Sequence, residues 1–284
     1  MNRRECLHLI TGSLLALGAG LLARFSWERE TQQGPKAVLT PEMEEGPFYI
    51  DLHRLRRDIT EDRPGIPLRL CLTLVDLPQN APLPDAAVDI WHCDASGEYS
   101  GYRDARNRLH PPPGYPGGHQ PPGAPSSGAN FAEHLAVPHC APTDATRFLR
   151  GLQVTDANGV VEFRTIYPGW YGGRDIHIHL KVHVAGNDTS DDYQGGHVCH
   201  VGQLFFPDEI NDRVAQTGPY SARLSLRTLK AQDPVYLAEH GEQTVMKVSP
   251  EQIDGRDGYL AEITLGINPA TQPAPVPRVS RKIS

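Results

Sequence analysis

The sequence predicts an all-β fold: an antiparallel β-sandwich core with long Pro/Gly-rich loops and few short helices. Three observations carry that expectation. The 284 residues include 27 Gly and 26 Pro, a load of helix breakers that a helical bundle would not tolerate. Several segments alternate apolar and polar side chains with a period of two, as half-buried strands do. Turn signals separate these segments without long helical stretches between them, which argues against parallel βαβ units.

The elements follow in order. Arg3 and Arg4 precede an apolar stretch from Leu7 to Ala23, which reads as a signal sequence over residues 1–30. The arginine pair points to twin-arginine translocation, so the expectation is an exported protein, periplasmic or extracellular, with no stable membrane insertion after processing. Residues 31–62 read as a turn-rich lead-in, 63–268 as the sandwich domain and 269–284 as a frayed tail. In Leu68 to Leu74 every second residue is Leu, the mark of a strand with one buried face. Ala86 to Cys93 is a second strand, entered through a Pro-rich turn at residues 81–85. Periodicity then stops from Tyr102 to Asp144, with seven Pro and four Gly between His110 and Pro125. Loops of such length in a compact domain are either functional or disordered. Leu152 to Thr155 and Val160 to Ile166 form a hairpin around Asp156-Ala157-Asn158-Gly159. Ile176 to Val184, Gly202 to Phe206, Val245 to Val248 and Tyr259 to Ile267 are further strands, and Tyr220 to Lys230 is a helix candidate.

The formal net charge of -7 leaves no basic field to attract nucleic-acid phosphates or an anionic membrane. A small molecule or a protein is the expected partner. Beyond the signal the chain has Cys71, Cys93, Cys140 and Cys199. In an exported protein these permit two disulfides in any of three connectivities, with buried free thiols as the alternative.

Two places concentrate chemistry. On a strand, His177 and His179 point to one face, close enough for two ring nitrogens to reach a single metal ion. Tyr171 lies upstream in a Gly-flanked turn that can fold its phenol back over that strand. Lys181 and His183 continue the same face, so an ordinary polar strand face is the competing reading. Asp175 shares the parity of His177. The second place is the segment from Trp91 to Ser100, where a strand ends in an Asp-Ala-Ser-Gly turn that delivers Tyr99. His197 and His200 flank Cys199 in a Gly-led stretch that reads as a solvated loop, with a second metal site as the alternative.

Together these segments resemble the intradiol ring-cleavage dioxygenases, a family of non-haem ferric enzymes. The resemblance runs through Val88 to Ser100 and through Phe163 to His179. It extends to Gln203-Leu204-Phe205-Phe206 and to Glu45-Gly46-Pro47-Phe48-Tyr49, so that it spans residues 42–207 in patches. It implies four metal ligands, Tyr99, Tyr171, His177 and His179, holding one Fe(III) per chain. It implies a catechol-type substrate and dioxygen as partners, with Tyr171 displaced by the substrate. Arg174 would stabilise developing negative charge and Gln203 would line the site, while His92 and His183 have no ligating part. About 35 residues between signal and first strand are too few for the helical dimerisation domain of some members; a homo-oligomer of another kind stays open.

The donor chemistry agrees with this. Two phenolates with two neutral imidazoles suit a small, highly charged ferric ion better than zinc or calcium, and a ferrous oxygenase would instead use two His and a carboxylate. Two alternatives stand beside it: a metal-free transthyretin-like β-sandwich binding module, and a metal enzyme that uses only the histidine pair.

Overall fold

A computed structural model of the chain describes residues 37–103, 139–223 and 226–276. The expected signal sequence, most of the 102–144 insertion and the end of the tail lie outside the described residues. The strands are β1 (Pro67–Asp76), β2 (Ala81–Pro82), β3 (Ala87–Trp91), β4 (Arg150–Val154), β5 (Val160–Ile166), β6 (His177–Asp188), β7 (Tyr193–Phe205), β8 (Lys247–Ile253) and β9 (Arg256–Ile267). Two short α-helices follow β7, α1 (Asp208–Ala215) and α2 (Pro234–Ala238). Among the described residues no helix is long and apolar enough to cross a membrane.

The strands form two sheets, as an all-β sandwich requires. In the first, β1 is flanked by β5 and β2 on one edge and by β9 on the other, with β8 beyond β9. The second has the order β4-β3-β6-β7 and is antiparallel throughout. One pairing departs from the antiparallel expectation: β1 and β9 run parallel, Leu68 opposite Tyr259 through Asp76 opposite Ile267. Two strands so distant in the chain are free of the hairpin geometry that forces neighbours to run antiparallel.

The leucine alternation of β1 points inward. Leu68, Leu70, Leu72 and Leu74 are buried against Val88, Ile90, Ile178, Leu180, Val182 and Leu204 of the second sheet. Each such side chain contributes roughly 1.5–3 kcal/mol of burial free energy, which fixes the register of the strands that carry them.

Two sequence expectations are corrected. Tyr220 to Lys230 is not a helix: a short 3-10 turn covers Tyr220–Ala222 and another begins at Lys230. The stretch holding His197, Cys199 and His200 is no loop but part of β7, paired to β6 back to Tyr193 opposite Asp188. Of the two readings open for Cys71, Cys93, Cys140 and Cys199, the free thiols hold, with Cys93 and Cys199 buried and Cys71 and Cys140 partly so. Burial pushes the thiols of Cys93 and Cys199 up to about 12, so both behave as small apolar side chains.

What positions the site is the outer face of the second sheet. There Arg150, Trp91, His179 and Gln203 lie side by side across β4, β3, β6 and β7. The row beside it contains Leu152, Asp89, Lys181 and Val201. This face is buried although it is polar, because the lead-in lies over it: Met43, Glu44, Glu45, Phe48 and Tyr49 are all buried.

Candidate metal centre

Two turns bring the site together. Asp94 organises the first: its Oδ1 accepts from the Ser96 amide at 2.8 Å, the Ser96 hydroxyl at 2.7 Å and the Glu98 amide at 3.0 Å, while Arg63 neutralises Oδ2. The second turn, Pro168-Gly169-Trp170-Tyr171, is anchored from behind. There the Tyr220 hydroxyl donates to the Tyr167 carbonyl at 2.6 Å, and the Tyr167 hydroxyl donates to Asn211 of α1 at 2.7 Å.

The turns interlock through two glycines. A Cβ at Gly169 would sit 2.5 Å from the Asp94 carbonyl oxygen, and one at Gly97 would sit 2.1 Å from that of Trp170. Gly97 also has φ +78°. Only the absence of both side chains lets the segments carrying Tyr99 and Tyr171 touch.

Four donor atoms converge as a result. The Nε2 atoms of His177 and His179 are 3.0 Å apart. Tyr171 Oη lies 3.2 Å from His177 Nε2, and Tyr99 Oη lies 3.1 Å from His179 Nε2. Tyr99 is only 3% exposed, whereas Tyr171 is partly exposed.

Electrostatics keep both imidazoles neutral. Burial first, and then the nearby Arg174 cation, depress His177 to about 3. His179 is driven well below its ordinary value by burial, then by His177 and Arg174. His177 Nδ1 donates to the Asp175 carbonyl at 2.6 Å, which leaves the lone pair of its Nε2 facing inward. Trp91 stacks on the other imidazole, with ring centroids 4.9 Å apart and planes 4° from parallel to those of His179.

These residues fit a ferric ion. Two imidazole nitrogens facing each other at hydrogen-bond distance have room for one proton between them, and two phenol oxygens complete a hard, mixed N/O donor set. Among the described residues no three His, Cys, Asp or Glu side chains are placed to hold a metal ion, so the phenols are indispensable to any such site. Asp175, despite its parity, turns away: its carboxylate faces Arg227 at 3.0 Å and Lys230 at 3.2 Å.

Arg174 and Gln203 lie directly beside the histidines. Arg174 is fully buried; its Nε donates to Asp233 at 3.0 and 3.1 Å and its Nη1 to Glu44 at 3.2 Å. Its Nη2 donates to the Gln203 side-chain oxygen. The Gln203 amide in turn donates to the Glu44 carbonyl at 2.8 Å, so both ends of that side chain are engaged.

The remaining histidines stand elsewhere. His92 is buried between Cys93 O and Thr165 Oγ1, each at 2.8 Å. His183 and His197 line a cavity of about 440 Å³, with His53, His139 and Lys181, farther along the outer face of β6. His200 is paired with Glu42 at 2.8 Å.

Sequence reasoning missed several residues that shape the centre. Phe48 packs its ring 4.8 Å from that of Tyr99 and 6.4 Å from that of Tyr171. Arg150 holds Ser100, next to Tyr99, through Nε to Oγ at 2.8 Å and Nη2 to the carbonyl at 2.9 Å. Glu44 and Asp233 pair with Arg174 from segments that have no periodic signal.

The sequence matches no protein-family model and no curated protein. It is similar to solved structures. The intradiol ring-cleavage dioxygenase from Tetranychus urticae is 31% identical, with a TM-score of 0.64 over 83% of this chain and 97% of that one. A second crystal structure, of a dioxygenase, is also 31% identical, with a TM-score of 0.65 over 84% of this chain and 97% of its own. The chain belongs to the intradiol ring-cleavage dioxygenase family.

Proposed function

We propose that the protein is a non-haem ferric dioxygenase that opens the ring of a catechol-type substrate between its two hydroxylated carbons, incorporating dioxygen to give a muconate-type dicarboxylate. The observation that carries this reading is the meeting of Tyr99, Tyr171, His177 and His179 at 3.0 to 3.2 Å between donor atoms. These four would hold one Fe(III), which supplies Lewis acidity and draws electron density from a bound catecholate so that dioxygen can react with the ring.

The chain's own residues divide the remaining work. Tyr171, partly exposed and on a Gly-flanked turn, is the donor suited to give way to substrate, and its freed phenolate oxygen accepts one substrate proton. Tyr99, enclosed by Phe48 and Tyr102, is suited to stay in place. Arg174 sets a fixed positive charge beside the histidines, where negative charge develops as the ring opens. Gln203 holds the Arg174 guanidinium and lines the floor next to His179. Phe48 and Trp91 keep water from the reacting face.

The test is the visible absorption spectrum and iron content of the purified protein, before and after catechol is added without oxygen. A reddish charge-transfer band at one iron per chain, shifting as catechol binds, is expected. A protein that stays colourless after ferric loading would overturn the reading. Tyr99→Phe separates it from a metal enzyme that uses only the histidine pair: the band and the activity should be lost in a ring-cleavage enzyme, whereas metal content and activity should stay nearly unaffected in the other.

A further inference from the structure

We infer that Asp233 is a positioning residue of the proposed reaction, its carboxylate setting the orientation of Arg174 beside the metal centre. The inference rests on the ring-cleavage reading and adds a residue to it.

Asp233 and Arg174 side chains have no exposed surface, and the carboxylate meets Nε with both oxygens, at 3.0 and 3.1 Å. A guanidinium held only at its Nη atoms can still pivot about its terminal torsion. Holding Nε removes that freedom and turns the Nη edge toward Glu44 and Gln203. Gln203 is the cross-strand neighbour of His179, so this edge lies on the side of the histidines.

The carboxylate is itself immobile. Oδ1 accepts from the amides of Val235 at 2.9 Å and Tyr236 at 3.2 Å, capping α2, and Oδ2 accepts from the amide of Asp175 at 2.8 Å. One side chain therefore links the start of α2, the backbone two residues before His177 and the Arg174 guanidinium. Asp175 does not compete for the arginine, since Arg227 and Lys230 engage its carboxylate. Other groups could balance the arginine's charge; among the described residues it is Asp233 that meets it at Nε with a carboxylate fixed from three backbone directions.

The experiment uses the iron-loaded full chain with catechol as probe and compares wild type, Asp233→Asn, Arg174→Gln and the double variant. Asp233→Asn should keep one iron per chain and the resting absorption band, because no ligand is touched. Its catechol affinity, read from the band shift without oxygen, should weaken about tenfold, and kcat should fall on the order of 10- to 100-fold, as for other partners that orient a site. The double variant should bind catechol no more weakly than Arg174→Gln alone, since a residue that acts through Arg174 has nothing left to orient. Effects that multiply, or an Asp233→Asn protein within twofold of wild type in both measurements, would overturn the inference. Should Asp233→Asn not fold, Asp233→Glu decides: it retains the charge but displaces it, and an unchanged affinity refutes positioning. A wild-type protein with no band at all would sink ring cleavage itself, whereas a wild-type band with an indifferent Asp233→Asn sinks only this inference.

Discussion

The outer face of β6 presents four polar side chains in a row, and its two halves have opposite surroundings. His177 and His179 face two phenol oxygens and the Arg174 cation, and burial with that cation keeps them neutral. Lys181, on the same face, meets carboxylates, and His183 meets other rings. Lys181 pairs with Glu45 at 2.7 Å and lies opposite Asp89, while His183 packs edge-on against His53 at 5.3 Å. The divide between them is aromatic: Trp91 stacks on His179, Tyr49 packs against Trp91 at 4.9 Å, and Lys181 sits 3.6 Å over the Tyr49 ring. A strand's period of two can place side chains on a face, but what comes from other segments to meet them decides which can ligate a metal.

The largest effect that would break this contrast comes from the histidines. His179→Ala should abolish iron binding and the absorption band, with turnover down on the order of 10³-fold or more, several kcal/mol of lost stabilisation. His183→Ala should retain one iron per chain; metal analysis of the two proteins side by side checks it, and equal loss would erase the distinction. Lys181→Met comes next. It leaves the buried Glu45 with only His139 beside it and removes a cation from the neighbourhood of Asp89, so it should destabilise the fold by about 3–5 kcal/mol in urea unfolding, leaving the band in place.

The smallest effect concerns protons. Burial, then His53 and Lys181, depress His183 to about 4, against 6.5 when unfolded. Between those values the unfolded chain binds the extra proton, so His183 removes stability as pH falls from about 6.5 to about 4. Asp89 works the other way: burial raises it to about 7 from 3.8, and its contribution is lost as pH rises through that window. Unfolding curves of the metal-free His183→Ala protein should therefore flatten below pH 6.5, by at most about 1.4 kcal/mol per pH unit. A slope identical to wild type would mean that His183 protonates freely in the fold.

Much of this was legible in the chain itself. The leucine alternation of β1 and the parity of His177 and His179 need only strand geometry. The meeting of Tyr99 with Tyr171 did not follow from local pattern, because it depends on Gly97 and Gly169 interlocking two turns far apart in sequence; only the family resemblance suggested it. The first half of β7 was hidden because Gly195 and Gly196, with φ of +78° and +70°, read as loop residues although they sit within the β6–β7 pairing. Helix α1 left a faint signal in Pro207 followed by Asp208 and Glu209, a proline cap position and an acidic first turn. Glu44 and Asp233 left none, since their partner Arg174 lies 130 and 59 residues away.

The parallel pairing of β1 with β9 sets the timing of assembly. A ribosome has issued every proposed ligand once it passes residue 179, and the four strands of the ligand-bearing sheet by residue 205. The opposite layer stays open along β1 until Leu68 to Asp76 find Tyr259 to Ile267. Contacts of such long range form slowly, and they cannot form before β9 has been synthesised. Closure of the sandwich behind the ligands therefore waits for β9, and a protein cut short before β9 would carry the four proposed ligands on a sheet whose leucine-lined counterpart lacks its central neighbour.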